Sequence, residues 1–243
     1  MAETEATEPK AAKSEAASPR ERYRVQVRAE IKEHAWEQIA TAGASALSLN
    51  AIAKRMGMSG PALYRYYANR DALITELITD AYRSLADTFR AVGPTAPAAP
   101  TGSTTATAPT ARPGPDLSAL AHALRHWALD DPQRYLLIYG TPVPGYRAPD
   151  DVTAISDEIM ATLLGACPAP PSDAPATPLE QHLAERLQWA VDAPASPAAL
   201  HRALTFWTRL HGVLSLELAG HFSGMGFDPA QLFAAELEDL LDT

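Results

Sequence analysis

The chain has 243 residues, 47% of them apolar, and a formal net charge of −9. That allows a sizeable core in one or two domains, and the acidity argues against indiscriminate binding to nucleic acid. No apolar run approaches the ~20 residues of a membrane span, the polar N-terminus lacks the parts of a signal peptide, and the single Cys167 excludes an internal disulfide framework or cysteine-based zinc site. The sequence therefore reads as cytoplasmic, with no membrane association.

Residues 1–19, mostly Ala, Glu, Thr, Lys and Pro, are expected to be a disordered tail, because they carry too little apolar surface to offset their ordering. From Arg20 the pattern turns helical, with Val27, Ile31, Trp36 and Ile39 near one face and an end near Gly43. Ser48 is placed to cap a short helix carrying Ile52, Ala53 and Met56, closed by Gly57. A third short helix is expected over 59–67, with Ser59 as cap and Pro61 in its first turn. Asn69 and Asp71 open a long fourth helix through Leu73, Leu77, Tyr82, Leu85 and Phe89.

Residues 93–115 and 168–178 are Pro-rich and read as flexible loops. Further helices are expected at about 116–130, 133–140, 150–165, 178–192, 197–222 and 229–242. No segment alternates with a period of two, so the predicted fold class is all-α, with no sheet.

The stretch GMSGPALYRYY, residues 57–67, is the most informative. Leu63 and Tyr67 fall on one helical face and pack inward with Ile52 and Met56, while Tyr64, Arg65 and Tyr66 fan out over the other. Two short helices joined at Gly57-Met58 have helix-turn-helix spacing. Tyrosine hydroxyls and Arg suit phosphate, and Arg also reaches O6 and N7 of guanine. Gly60, Pro61 and Ala62 have so little side chain that backbone can approach a groove closely. The charge distribution agrees: residues 21–70 carry eight Lys/Arg against four Glu, whereas from Asp71 onward nine Arg face twenty-one acids. A basic segment on an acidic body confines phosphate to one place.

The stretch SLNAIAKRMGMSGPALYRYYANRDAL, residues 48–73, resembles the DNA-binding signature of the TetR family of bacterial transcriptional regulators, and the likeness extends over about residues 22–75. It implies a helix-turn-helix domain at 20–69 and a larger helical domain at 70–243 that binds a small ligand and dimerises. It puts Asn50 near phosphate or base, Gly60, Pro61, Ala62 and Arg65 at the groove, and Tyr64, Tyr66 and Arg70 on phosphates; Ser48 and Ser59 complete the DNA-facing set. Arg70 and Tyr67 depart from the commoner Lys and Phe, so Arg70 becomes a forked donor and the Tyr67 hydroxyl needs a partner or solvent. Arg20, Arg22, Arg24 and Arg28 are either an arm to the DNA backbone or minor groove, or simply a solvated helix start.

In the C-terminal half, the helix at 197–222 is apolar over much of its circumference and carries a stripe of small residues, Thr208, Gly212, Ser215 and Ala219. With the final helix, capped by Asp228 and begun by Pro229, it suits a four-helix interface around a twofold axis, although the stripes equally permit a monomer with a thick core. The segments 125–146 and 207–220 resemble a C-terminal variety of the family marked by its Trp, His and Gly. Trp127, Tyr135, Tyr139, Trp189, Phe206, Trp207 and His211 are candidate walls of a site for a small hydrophobic ligand, with His211 as polar contact; each of them serves a plain core equally well.

An enzyme reading finds no constellation. His122 and His126 lack a third metal ligand, YGTPVPGY lacks the phosphate-loop order, and no nucleophile elbow is present. Neither metal nor cofactor is expected. The expected function is a homodimeric regulator, a repressor released from a palindromic double-stranded DNA operator by a small inducer. The alternative is a helix-turn-helix regulator whose C-terminal half binds a protein partner or no inducer; an enclosed cavity among Trp127, Tyr139, Trp189 and Trp207 separates the two.

Overall fold

The structure is a computed structural model that describes residues 18–93, 115–167, 175–186 and 195–242. Among the described residues it is all-α, with ten helices and no strand. Most of the expected tail, the bulk of both Pro-rich loops and Trp189 lie outside those residues.

Helix α1 (Pro19–Ala42) begins within the expected tail, because Ser18 and Glu21 form a reciprocal cap with Pro19 in the first turn. Its buried stripe is Val27, Ile31, Ala35 and Ile39; Trp36 sits only partly buried at the flank. A single 3₁₀ turn (Ala44–Ala46) leads to α2 (Leu49–Arg55), where Ser48 Oγ accepts from Ala51 N–H at 3.3 Å as its position suggested. Gly57 adopts φ +65°, a left-handed conformation that costs a residue with a Cβ, and turns the chain into the next helix.

Helix α3 (Gly60–Leu63) is shorter than the expected 59–67. Beyond Leu63 the chain tightens, with Tyr66 N–H donating to the Leu63 carbonyl at 2.8 Å and Arg65 N–H to that of Ala62 at 3.4 Å. Ser59 caps through its backbone carbonyl only, because its hydroxyl makes no capping bond. Helix α4 (Arg70–Val92) is capped by Asn69, whose Oδ1 accepts from Ala72 N–H at 2.7 Å.

The remaining helices are α5 (Leu117–Asp130), α6 (Pro132–Tyr139), α7 (Asp150–Ala166), α8 (Pro178–Ala184), α9 (Pro197–Leu218) and α10 (Pro229–Leu241). Asp228 caps α10 with Pro229 in its first turn, as the sequence indicated. Helix α9 ends four residues before the expected limit, because Gly220 takes φ +78° and the His221 N–H folds back to the Leu216 carbonyl at 2.9 Å. Helix α8 stops at Ala184 and not near 192; residues 187–194 are outside the described set.

Two hydrophobic clusters organise these elements. The smaller joins α1, α2, α3 and the first half of α4, with Leu137, Val143 and Val152 contributed from the C-terminal half. The larger joins the second half of α4 to α5, α6, α7, α8, α9 and α10, around fully buried Phe89, Phe206 and Phe233. Ile138 and Tyr82 pack against both. No helix among the described residues is long and apolar enough to cross a membrane.

Candidate nucleic-acid interface and ligand site

Leu63 and Tyr67, 1% and 2% exposed, anchor the α3 region against Ile52 in the smaller cluster. With those two turned inward, Tyr64 and Arg65 stand exposed, as do Asn50, Ser59 and Pro61, while Ser48, Gly60, Ala62, Tyr66 and Arg70 are half-buried. Asn50 faces Gly60: a Cβ added there would lie 3.6 Å from Asn50 Oδ1, in ordinary contact. The second and third helices therefore lie side by side at Asn50 and Gly60. Tyr66 is less free than the sequence suggested, because its ring packs on the smaller cluster. Arg70 is folded back, donating to the Ala44 carbonyl at 2.8 Å, yet remains 31% exposed at its side chain.

Arg28 is not part of any arm. Its guanidinium lies over the Tyr67 ring at 4.5 Å, donates to the Tyr66 carbonyl at 3.1 Å and pairs with Glu76 on α4. Lys32 joins the same group, 3.3 Å from Glu76 and 2.6 Å from Asp80. Burial alone would raise the Glu76 carboxyl, but the Arg28 guanidinium holds it below the usual carboxylate range. Burial, with the Glu76 charge beside it, pushes the Tyr67 phenol well above its ordinary value, and the hydroxyl has no well-aligned partner. These contacts fix the helix-turn-helix to the start of α4. Sequence reasoning missed Glu76 because nothing local links position 28 to position 76.

In contrast, Arg20 and Arg24 overhang the cluster. With Tyr23 they line a surface hollow of about 550 Å³ whose other walls are Met58, Ala62, Arg65 and Tyr66. Tyr23, 64% exposed, was not singled out by sequence, since a tyrosine among arginines near a chain start carries no signal of its own.

In the C-terminal half, the described candidates come together. Tyr135, Tyr139, Trp207 and His211 form a ring cluster, with centroid separations of 4.1 Å for Trp207–His211, 4.4 Å for Tyr139–His211 and 5.7 Å for Tyr139–Trp207. Trp127 is 6.4 Å from Tyr135, and its indole N–H donates to Ser84 Oγ at 3.1 Å. Phe206 is fully buried in the same core. Five of these rings, those of Trp127, Tyr135, Tyr139, Trp207 and His211, pack on one another; Trp189, the remaining candidate wall, is outside the described residues.

One polar group in this cluster is unsatisfied. The Tyr135 hydroxyl meets His211 Nδ1 at 2.8 Å and Ser215 Oγ at 2.9 Å, but His211 Nε2 is buried without a partner. Burial pushes the His211 imidazole down to about 3, so it is neutral at ordinary pH. Burial also pushes the Tyr135 phenol up to about 12 and that of Tyr139 well above its usual value. The cluster is thus uncharged. Among the described residues no group of His, Cys, Asp and Glu is arranged to hold a metal ion.

Comparison with known proteins agrees with the geometry. Residues 31–77 match the family described as bacterial regulatory proteins, tetR family, and residues 117–240 match a tetracyclin repressor-like C-terminal domain. The chain is 34% identical over 224 residues to the HTH-type transcriptional regulators Mb1846 of Mycobacterium bovis and Rv1816 of Mycobacterium tuberculosis, covering 88% of this chain and 90% of each relative. The crystal structure of regulatory protein SCO4313 superimposes with a TM-score of 0.77 at 64% identity, over 93% of this chain and all of that one. A Rhodococcus sp. RHA1 protein at 18% identity, with a TM-score of 0.59, shares the fold. The chain is not an enzyme but a DNA-binding transcriptional regulator, and it belongs to the TetR family.

Proposed function

We propose that this regulator is a homodimeric repressor, released from a roughly palindromic operator by a small, neutral, hydrophobic ligand, and that it works in the cytoplasm. In this reading residues 20–69 bind DNA and 70–243 dimerise and bind ligand. Arg65, Asn50 and Ser59 read bases, while Tyr64, Tyr66 and Arg70 hold phosphates. Exposed Thr208, Gly212, Leu216 and Ala219 along α9, with exposed Leu241 on α10, supply a small and apolar face for a second copy. Two recognition helices spaced about 34 Å apart then enter successive major grooves.

The observation that carries ligand release is the unpartnered His211 Nε2. An unsatisfied buried polar atom costs about 1–3 kcal/mol, which a cluster built for stability alone would avoid. A ligand hydroxyl or amide answers it. A hundredfold loss of operator affinity then needs about 2.7 kcal/mol of coupling. The close ring contacts favour a second reading, a regulator with a protein partner or no inducer.

Fluorescent duplexes from the region upstream of its own gene, titrated with salt and then with a library of neutral hydrophobic metabolites, test this reading. Salt-sensitive, sequence-preferring binding that a compound reverses supports repression and ligand release together. Binding that no compound reverses favours the second reading, and failure to select any site from random DNA sinks the operator assignment.

A further inference from the structure

The helix-turn-helix is held at both of its ends by side chains of α1. At the far end Arg28 donates to the Tyr66 carbonyl, where the last carbonyls of a helix favour a cation. At the near end stands Gln38, half-buried on the same helix. The Ser48 N–H donates to Gln38 Oε1 at 2.9 Å, and Gln38 Nε2 donates to the Ser48 carbonyl at 3.5 Å, the limit of a hydrogen bond. A side-chain amide is thus set against a backbone amide. The connector offers little else that fixes direction: Ala44–Ala46 has no buried residue, and the chain enters α2 on the buried side chains of Leu47 and Leu49. Hydrophobic burial is non-directional, whereas an amide pair admits one orientation of the Ser48 peptide. With its backbone held, Ser48 still has its hydroxyl for the cap on Ala51 N–H. Asn50, two positions on, is exposed beside Gly60. The orientation of the chain at Ser48 therefore decides where the Asn50 amide lies over the start of α3.

We propose that Gln38 is a positioning residue for operator recognition: by pinning the Ser48 backbone it sets the aim of Asn50 beside α3, while touching no DNA itself. The inference rests on the reading that Asn50 contacts bases. Helix α1 then serves as a template for the recognition element, with Gln38 holding its entry and Arg28 its exit from points about 15 Å apart along one helix. The two anchors differ in kind. Gln38 carries no charge and adds nothing to counterion release, so its contribution shows in base preference and not in salt dependence.

A duplex selected from random DNA by the full-length protein, together with its single-base variants, tests this, at a temperature where melting curves show every protein variant folded. Gln38→Met keeps the length of the side chain and loses both hydrogen bonds. It should weaken binding to the selected site about fivefold to tenfold, leave the salt slope unchanged, and flatten the preference at the base pair that Asn50→Ala also flattens. In a protein that already carries Asn50→Ala, Gln38→Met should cost less than about twofold more, because its effect runs through the missing amide. Gln38→Glu keeps the acceptor for the Ser48 N–H and should keep the native preference at that base pair. An unchanged preference in Gln38→Met, a full additive loss in the double variant, or a flattened preference in Gln38→Glu equal to that of Gln38→Met overturns the positioning role. If Asn50→Ala leaves affinity and preference intact, the base contact of Asn50 falls and this inference falls with it. Failure of the native protein to select any site would instead strike the operator assignment itself.

Discussion

At one end of the molecule Asn50, Pro61, Tyr64 and Arg65 stand in solvent around a helix of four residues. In the other half, Tyr135, Phe206 and His211 are closed inside the larger cluster. Both regions are rich in side chains that could hold a partner, but only the first is open in the state seen. Side chains that await a large external surface can stay solvated at little cost; side chains that await a small apolar molecule must pack against each other until it arrives. In the second region His211 Nε2 is the buried polar atom left without a hydrogen-bond partner.

The sharpest way to break this comparison is to exchange the roles of the two regions. Phe206→Ala should cost about 3–5 kcal/mol of folding stability by urea denaturation. A smaller loss would mean that the cluster is looser than its burial implies.

The next effect is pH-dependent. His211 titrates near 6.5 when unfolded but near 3 when folded, so the unfolded state binds the extra proton between those values. Stability from this group is nearly complete above pH 6.5 and falls by about 2–3 kcal/mol between pH 6.5 and pH 4.5, a range in which unfolded carboxylates also begin to take up protons, so the comparison with a His211 variant isolates it. Denaturation of the native protein and His211→Phe at pH 6.5 and pH 4.5 should show that slope in the first and a flatter one in the second. Equal slopes would mean that water reaches the imidazole.

At the open end, Arg65→Ala should change the preferred base at one position of each half-site by about 1–3 kcal/mol, read by competition among single-base variants, with stability almost unaltered. If preference survives, the base reader lies elsewhere on the Asn50–Ser59 edge. Arg28→Ala sharpens the border between the regions. It should cost about 1–2 kcal/mol of stability and leave the salt dependence of DNA binding as it was, since its charge is already spent on Glu76. Smallest of all, Tyr64→Ala should shift stability by less than about 0.5 kcal/mol while weakening binding to every duplex alike.

What the sequence disclosed follows the same divide. The capping residues Ser48, Asn69 and Asp228, the inward Leu63 and Tyr67 and the outward Tyr64 and Arg65 are decided within a few positions of themselves. Local periodicity therefore found them. The Arg28–Glu76 pair, the Arg70–Ala44 bond and the Trp127–Ser84 bond join residues 48, 26 and 43 positions apart, and no spacing rule reaches that far. The shortening of α3 escaped for another reason: the tighter bonding after Leu63 leaves the inward positions of Leu63 and Tyr67 unchanged, so the pattern of buried residues reads the same. The aromatic residues were legible as a group, but their closeness depends on how α6 meets α9.

Helix α6 has eight residues and two masters. Tyr135 is lodged in the larger cluster and Leu137, two positions on, in the smaller. Two positions on a helix point about 200° apart, so these side chains are the opposite ends of a short beam pivoted on the helix axis. A turn of that beam would move the Tyr135 and Leu137 side chains in opposite directions about the helix axis. A short helix thus touches both clusters, alongside α4, which runs through them.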